Sequence, residues 1–254
     1  MRPLIEAVTV CVHYSDYLLE VVSCNRVHFT RWILVTTPDD EQTLDVAHKH
    51  NLEVVLTRDF HRDGEPFNKG RAIERGLAML SHNDWVLHID SDIALPVDYL
   101  ESLEDADLDP ECIYGADRLI VRGPKAWDQL QHEGFRARAW CCISNARDFT
   151  IGTRWCDNRY GYVPIGYHQL FHGGSAVHHG TRFRRYPECH STAARADVKF
   201  ASQWDRRQRV LIPETFVAHL EHAPQPCGVN WTGRKSPPFR GVMPNLASPL
   251  PRGS

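Results

Sequence analysis

Two carboxylates, Asp90 and Asp92, stand either side of Ser91 at the end of the apolar run Trp-Val-Leu-His-Ile at 85–89. Carboxylates at i and i+2 can share one hard cation together with the ligand it carries. Oxygen donors suit Mg²⁺ or Mn²⁺, which bridge phosphate oxygens and neutralise charge on a leaving group. Acidic pairs also occur in ordinary turns. What favours the cation here is position, because the triplet closes the fourth strand of a β-α-β series.

The elements that position it follow from periodicity. Residues 7–12 form a near-continuous apolar run, as a strand buried on both faces requires. A helix of about ten residues follows from Asp16. Residues 32–35 give a second strand, after which Thr37 or Asp39 can cap a helix starting near Pro38. Residues 52–56 give a third strand. From Asn68, the spacing of Ala72, Ile73, Leu77 and Leu80 marks an apolar helix face. Alternating strands and helices predict an α/β fold with a mostly parallel central sheet. Ligands of such sheets sit outside the carboxyl ends of the strands. That places His13-Tyr14, residues 37–40, Arg58-Asp59 and 90–92 on one side of the sheet.

Beyond Asp109-Pro110 the pattern becomes irregular. Short strands are expected at 113–116 and 118–121, and a helix at 125–132. A further helix is expected over 193–207, followed by strands at 209–212 and 215–220. The last thirty residues are Pro-rich and extended. The expected organisation is one domain over 1–222, with a regular part at 1–117 and an irregular part at 118–222. A Pro-rich segment at 223–254 follows as a closing loop and tail.

This pattern resembles the GT-A-fold glycosyltransferases, especially those similar to family 2. The resemblance covers most of 7–222 and is most specific in Phe67-Asn68-Lys69-Gly70-Arg71-Ala72-Ile73-Glu74-Arg75-Gly76-Leu77 followed by 85–96. It implies a single Rossmann-like catalytic domain, with 1–117 as its nucleotide-sugar-binding part and 118–222 as its acceptor-side part, a nucleoside-diphosphate-sugar donor and Mn²⁺ or Mg²⁺. Asp90 would contact the ribose and the metal, and Asp92 would ligate the metal, with Ser91 between them in the donor site. His13, Tyr14 and Asp39 would line the nucleobase pocket, and Lys69 would lie near the base or diphosphate. Asp197, opening a helix, would act as general base in direct attack with inversion. Helix capping is its bland alternative. His219, favoured over His222, would complete the metal site. Trp231 and Arg234, in a segment like the closing loop of such enzymes, would stack on the sugar and pair with the diphosphate. Where many relatives carry Asp-Asp-Gly-Ser, this chain has Thr37-Pro38-Asp39-Asp40.

The net charge of −3 hides two unequal halves. Residues 1–117 hold 9 Lys and Arg against 23 Asp and Glu, and residues 118–254 hold 20 against 9. Arg118, Arg122, Lys125, Arg136, Trp140, Arg154, Trp155, Arg159, Arg182, Arg184 and Arg185 interleave charge with aromatic faces, as tracking of a nucleic-acid backbone requires. The acceptor is thus expected to be either a hydroxymethylated base in DNA or a surface glycan or lipid-linked saccharide. Charge pairing across one fold is the competing explanation. A nucleotidyltransferase would need a Gly-rich loop after the first strand, which His13-Tyr14-Ser15-Asp16 lacks. A non-catalytic glycan- or nucleic-acid-binding module would not need Asp90, Asp92, Asp197 and His219 together. Eight cysteines without a Cys-x-x-Cys pair, no signal-peptide layout and no apolar run of spanning length predict reduced thiols and a cytoplasmic protein. The irregular spacing of His168, His172, His178 and His179 with Cys156, Cys189 and His190 argues against structural zinc.

Overall fold

All six residues of the first strand, β1 (Ile5–Val10), are buried, as its unbroken apolar sequence demands. It lies parallel between β2 (Arg31–Thr36) and β4 (Trp85–Ile89), and β3 (Glu53–Leu56) extends the parallel run. The remaining strands are β5 (Ile93–Ala94), β6 (Ile113–Arg122), β7 (Phe149–Ile151), β8 (Cys156–Asp157), β9 (Gly161–Tyr162), β10 (His168–His172), β11 (Val177–His178), β12 (Thr181–Arg182) and β13 (Arg209–Glu221). The helices are α1 (Ser15–Arg26), α2 (Glu41–Lys49), α3 (Lys69–Leu77), α4 (Tyr99–Asp105), α5 (Gly123–Glu133) and α6 (Ala196–Ala201). This computed structural model describes residues 2–133, 148–157, 161–178, 181–182, 184–187, 192–221, 232–234 and 236–240.

The central sheet runs β3-β2-β1-β4-β10-β6-β13-β5, with β7 attached to β6. Its α/β character and parallel first half match expectation. Among the strands that sequence does not reveal is β10, which lies centrally and is antiparallel to both β4 and β6. β6 is one ten-residue strand rather than two short ones, because its central Asp117 is covered by Arg154 at 2.6 and 2.5 Å. β13 is likewise a single strand, with an irregular register between Leu211 and Phe216. The helix expected over 193–207 is shorter. α6 ends at Ala201, and Asp205 with Gln208 starts a separate turn as a capping box.

Local chemistry fixes the helices that carry the site. Asn68 caps α3 by accepting from the Arg71 N–H at 3.1 Å. α3 then packs so closely on the sheet that a Cβ at Gly76 would stand 2.7 Å from Val8 and 2.8 Å from Val35. Asp40, rather than Thr37 or Asp39, caps α2, taking the Thr43 N–H at 3.2 Å and its hydroxyl at 2.7 Å. α1 reaches across the sheet through the buried Asn25, which donates to the Ile93 carbonyl at 2.7 Å and accepts from the Leu95 N–H at 2.8 Å.

Two buried histidines bear on stability. His28 and His168 are both held down at about 4, chiefly by burial. Between that value and about 6.5 the unfolded chain takes up protons that the native state refuses, so stability falls as pH falls. Each histidine should remove about 2 kcal/mol between neutral pH and about pH 5. Urea midpoints measured across that window should drop steeply, and a flat profile would contradict the assignment.

Candidate donor site at the end of the fourth strand

β4 ends at Ile89, and the acidic triplet turns directly into β5. β5 pairs with β13 so that His219 stands opposite Ile93, and the Leu220 N–H donates to the Asp92 carbonyl at 2.9 Å. This pairing brings a histidine from the far end of the chain to the acids. From the other side, α3 delivers Lys69, whose ammonium hydrogen-bonds Asp90 Oδ1. α6 delivers Asp197.

Tyr14, Lys69, Asp90, Ser91, Asp92, Asp197 and His219 all line one cleft of about 230 Å³. The Asp90 and Asp92 side chains are 27% and 23% exposed, so two like charges share a poorly hydrated space. Burial raises the Asp90 carboxyl above the usual range, and Asp92 adds to this against the opposing pull of Lys69. Burial acts the same way on Asp92, but His219 and Lys69 outweigh it and the net shift is downward. Burial alone would lower the Lys69 ammonium, yet the charge and hydrogen bond of Asp90 reverse the sign and raise it.

The acid pair leaves one of its own oxygens unsatisfied. Asp92 Oδ1 is shielded from water and has no hydrogen-bond partner. Asp92 Oδ2 lies 3.5 Å from His219 Nε2. On the far side of that ring, Arg118 lies 3.3 Å from Nδ1. A guanidinium can only donate, so Nδ1 accepts and the imidazole proton sits on Nε2, facing Asp92. His219 therefore does not present a free metal-binding nitrogen in this arrangement. No three His, Cys, Asp or Glu side chains among the described residues converge as a metal cluster. The unsatisfied Asp92 oxygen nonetheless fits a hard cation that takes its other ligands from a bound diphosphate.

Asp197 is half-buried at the start of α6. Its Oδ2 accepts from the Gly166 N–H at 2.7 Å, and its Oδ1 from the Val198 N–H at 2.8 Å. A carboxylate oxygen can accept two bonds, so each keeps capacity for a substrate hydroxyl.

Other expected site residues lie elsewhere. The His13 side chain is 64% exposed, while its N–H donates to Asp40 Oδ2 at 2.6 Å. Asp39 is 66% exposed and pairs with Arg58 at 2.8 Å. Neither lines the cleft. Arg234, expected at the diphosphate, is committed to α1. It forms a forked pair with Asp16, donates to the His13 carbonyl at 2.7 Å and lies 4.8 Å over the Tyr14 ring. It thus holds Tyr14 against the cleft from behind. Trp231 and His222 lie outside the described residues. Sequence reasoning missed His88 and Tyr186, which also line the cleft, and gave Arg118 a place on a nucleic-acid track rather than here. The one signal available was a histidine inside an otherwise apolar strand at position 88.

Several basic residues expected to track a nucleic acid are engaged within the chain. Arg122 donates to Thr150 at 2.6 Å, Arg154 pairs with Asp117, and Arg184 bonds the Ser175 carbonyl and stacks 4.5 Å over Trp204. Arg136, Trp140 and Arg159 lie outside the described residues. So do His179, Cys189 and His190 of the zinc alternative. Cys11, Cys24, Cys112 and Cys156 are free thiols. Among the described residues, no helix is long and apolar enough to cross a membrane.

No family model matches the chain, and no curated protein does. Solved structures do match. Glucosyl-3-phosphoglycerate synthase from Mycobacterium tuberculosis, in complex with Mn²⁺ and UDP-glucose, aligns at 12% identity over 89% of this chain and 73% of that one, with a TM-score of 0.52. The same enzyme with UDP aligns over 89% and 74% at a TM-score of 0.49. Mannosyl-3-phosphoglycerate synthase from Rubrobacter xylanophilus is 20% identical over 46% of this chain, which spans only 40% of its length, at a TM-score of 0.35. The first likeness is one of fold, and the fold is GT-A. The other two add nothing to it.

The Arg234–Asp16 pair is enclosed, with side chains 15% and 8% exposed, and Asp16 also accepts the Phe239 N–H at 2.7 Å. Arg234→Ala should therefore destabilise the protein by about 3 kcal/mol, because it strands a buried carboxylate. It should also speed proteolysis around 232–240. An unchanged melting temperature and digestion pattern would show that the segment is not anchored there.

Proposed function

We propose that this GT-A-fold chain is a metal-dependent glycosyltransferase that moves a sugar from a nucleoside diphosphate to an acceptor hydroxyl with inversion. The observation that carries the reading is the unsatisfied Asp92 Oδ1 in a cleft that also holds Lys69, Asp90, His219 and Asp197. The solved neighbour bound to Mn²⁺ and UDP-glucose supports the same donor and cation classes.

Asp92 would hold Mn²⁺ or Mg²⁺ through Oδ1. His219 would join through Nε2 only with its proton on Nδ1, a change that displaces Arg118. When bound, the cation neutralises charge on the departing diphosphate. The remaining work belongs to the chain's own groups. Asp90 accepts from the donor's hydroxyls once Lys69 turns from it toward phosphate. Tyr14, held by Arg234, walls the donor end. Asp197 takes the proton of the acceptor hydroxyl as it attacks, and its bonds to Gly166 and Val198 hold both oxygens in place. Gly166 suits this contact, since a Cβ there would meet Asp197 Oδ2 at 3.2 Å.

For the acceptor, the internal bonding of Arg122, Arg154 and Arg184 favours a saccharide or other small hydroxyl compound over a DNA base. Duplex DNA should then bind weakly even at low salt, where phosphate contacts are strongest.

Thermal unfolding with UDP and Mn²⁺ tests the donor site. Ligand linkage predicts an increase of several degrees for the wild-type chain. Asp92→Asn, which keeps the side chain's shape, should lose most of that increase, as should EDTA treatment of the wild type. Equal increases in both proteins would remove Asp92 from the site.

A further inference from the structure

Behind the acidic pair lies a run of buried polar groups that joins the two sides of the cleft. Gln169, on β10, is fully buried. Its amide nitrogen donates to the carbonyls of Pro164 and Asp197, at 2.8 and 3.0 Å. These two bonds fix the orientation of the amide, so its Oε1 faces Tyr186 as an acceptor. The Tyr186 hydroxyl donates to that oxygen. A hydroxyl has one proton, so toward its other neighbour it can only accept. That neighbour is His88 Nδ1, at 2.8 Å. The His88 proton therefore resides on Nδ1, and Nε2 carries a bare lone pair.

His88 is completely buried and its Nε2 has no hydrogen-bond partner. That nitrogen lies 3.7 Å from Asp90 Oδ1, the oxygen to which Lys69 donates. Two acceptors with no proton between them repel unless a cation serves both. The Lys69 ammonium has three donors and is bonded to one of the two acceptors.

We propose that His88 is a positioning residue that shares Lys69 with Asp90, its lone pair kept toward the ammonium by Tyr186 and Gln169. When a donor substrate claims Asp90, His88 keeps an acceptor for Lys69 at the cleft floor. The ammonium then stays beside the diphosphate. The same run of bonds ends on the Asp197 backbone, so the donor acids and the acceptor-side carboxylate are set by one rigid series. Only the functional consequence rests on the donor-site reading above. The geometry of the series does not.

The test begins with the imidazole itself. Long-range proton–nitrogen correlation spectra of histidine-labelled protein should show His88 neutral, with its proton on Nδ1. Its signal is identified by its loss in His88→Gln. Tyr186→Phe removes the hydroxyl but keeps the ring that stacks on Phe200 at 4.2 Å, so the fold should persist. In that variant the proton should move to Nε2. Calorimetry with UDP and Mn²⁺ should show affinity reduced at least tenfold. His88→Gln, whose amide oxygen can replace Nε2, should bind within about threefold of wild type. His88→Leu should lose tenfold or more. A wild-type His88 protonated on Nε2 would overturn the proposal, as would undiminished UDP–Mn²⁺ affinity in both Tyr186→Phe and His88→Leu. If UDP with Mn²⁺ fails to bind the wild-type protein, the donor-site reading falls, and the tautomer then decides this proposal alone.

Discussion

Two carboxylates one residue apart, each roughly three-quarters withdrawn from water, cannot both stay ionised without a cation beside them. In this protein that cation is the Lys69 ammonium, and much of the surrounding architecture serves to deliver it. α3 must start at residue 69, so Asn68 must cap it. The helix must lie low on the sheet, so Gly76 has no room for a side chain. The opposing carboxylate needs its own neighbour, which the β5–β13 pairing supplies as His219. The long irregular second half of the chain thus returns to the same strand end that the regular first half creates.

Where hydrophobic periodicity acts alone, the sequence was readable. β1, β2 and β4 are apolar runs flanked on both sides, and their order follows from right-handed β-α-β logic. The triplet at 90–92 and the helix at 69–77 were legible for the same reason, since each is punctuated by a strand end or a cap. Tyr14, Lys69, Asp197 and His219 were placed through resemblance and do gather in one cleft. What could not be read is where polar groups find partners inside the fold. Asp39 and Asp40 are adjacent and chemically identical, yet one is a cap and the other a surface ion pair. Arg234 has the fork suited to a diphosphate, and the same fork suits Asp16 equally well.

β10 illustrates the limit more sharply. Its sequence, His-Gln-Leu-Phe-His, lacks the polarity pattern of a central strand, yet its first four residues are buried. His168 meets Tyr99 through Nε2 at 2.7 Å, and Gln169 is satisfied by Tyr186 and two carbonyls. These partners lie up to 69 residues away in sequence. Period-based reasoning sees only neighbours along the chain, so a strand whose polar residues are matched across the core is invisible to it. The same blindness concealed the tie between the acidic pair and the Asp197 segment.

α1 touches the cleft at neither the acidic pair nor Asp197, yet it holds several of the parts that do. Its Asn25 grips the backbone at Ile93 and Leu95 just past the triplet, its Asp16 anchors Arg234 beneath Tyr14, and its Glu20 pairs with Arg240. One twelve-residue helix is therefore a common rail for two segments far apart in sequence. If it undocked, the acid loop and the segment that carries Arg234 and Arg240 would be released together while the rest of the sheet stayed intact. Competence and melting would then be separate events, with a partly opened form that is still folded but no longer assembled for chemistry.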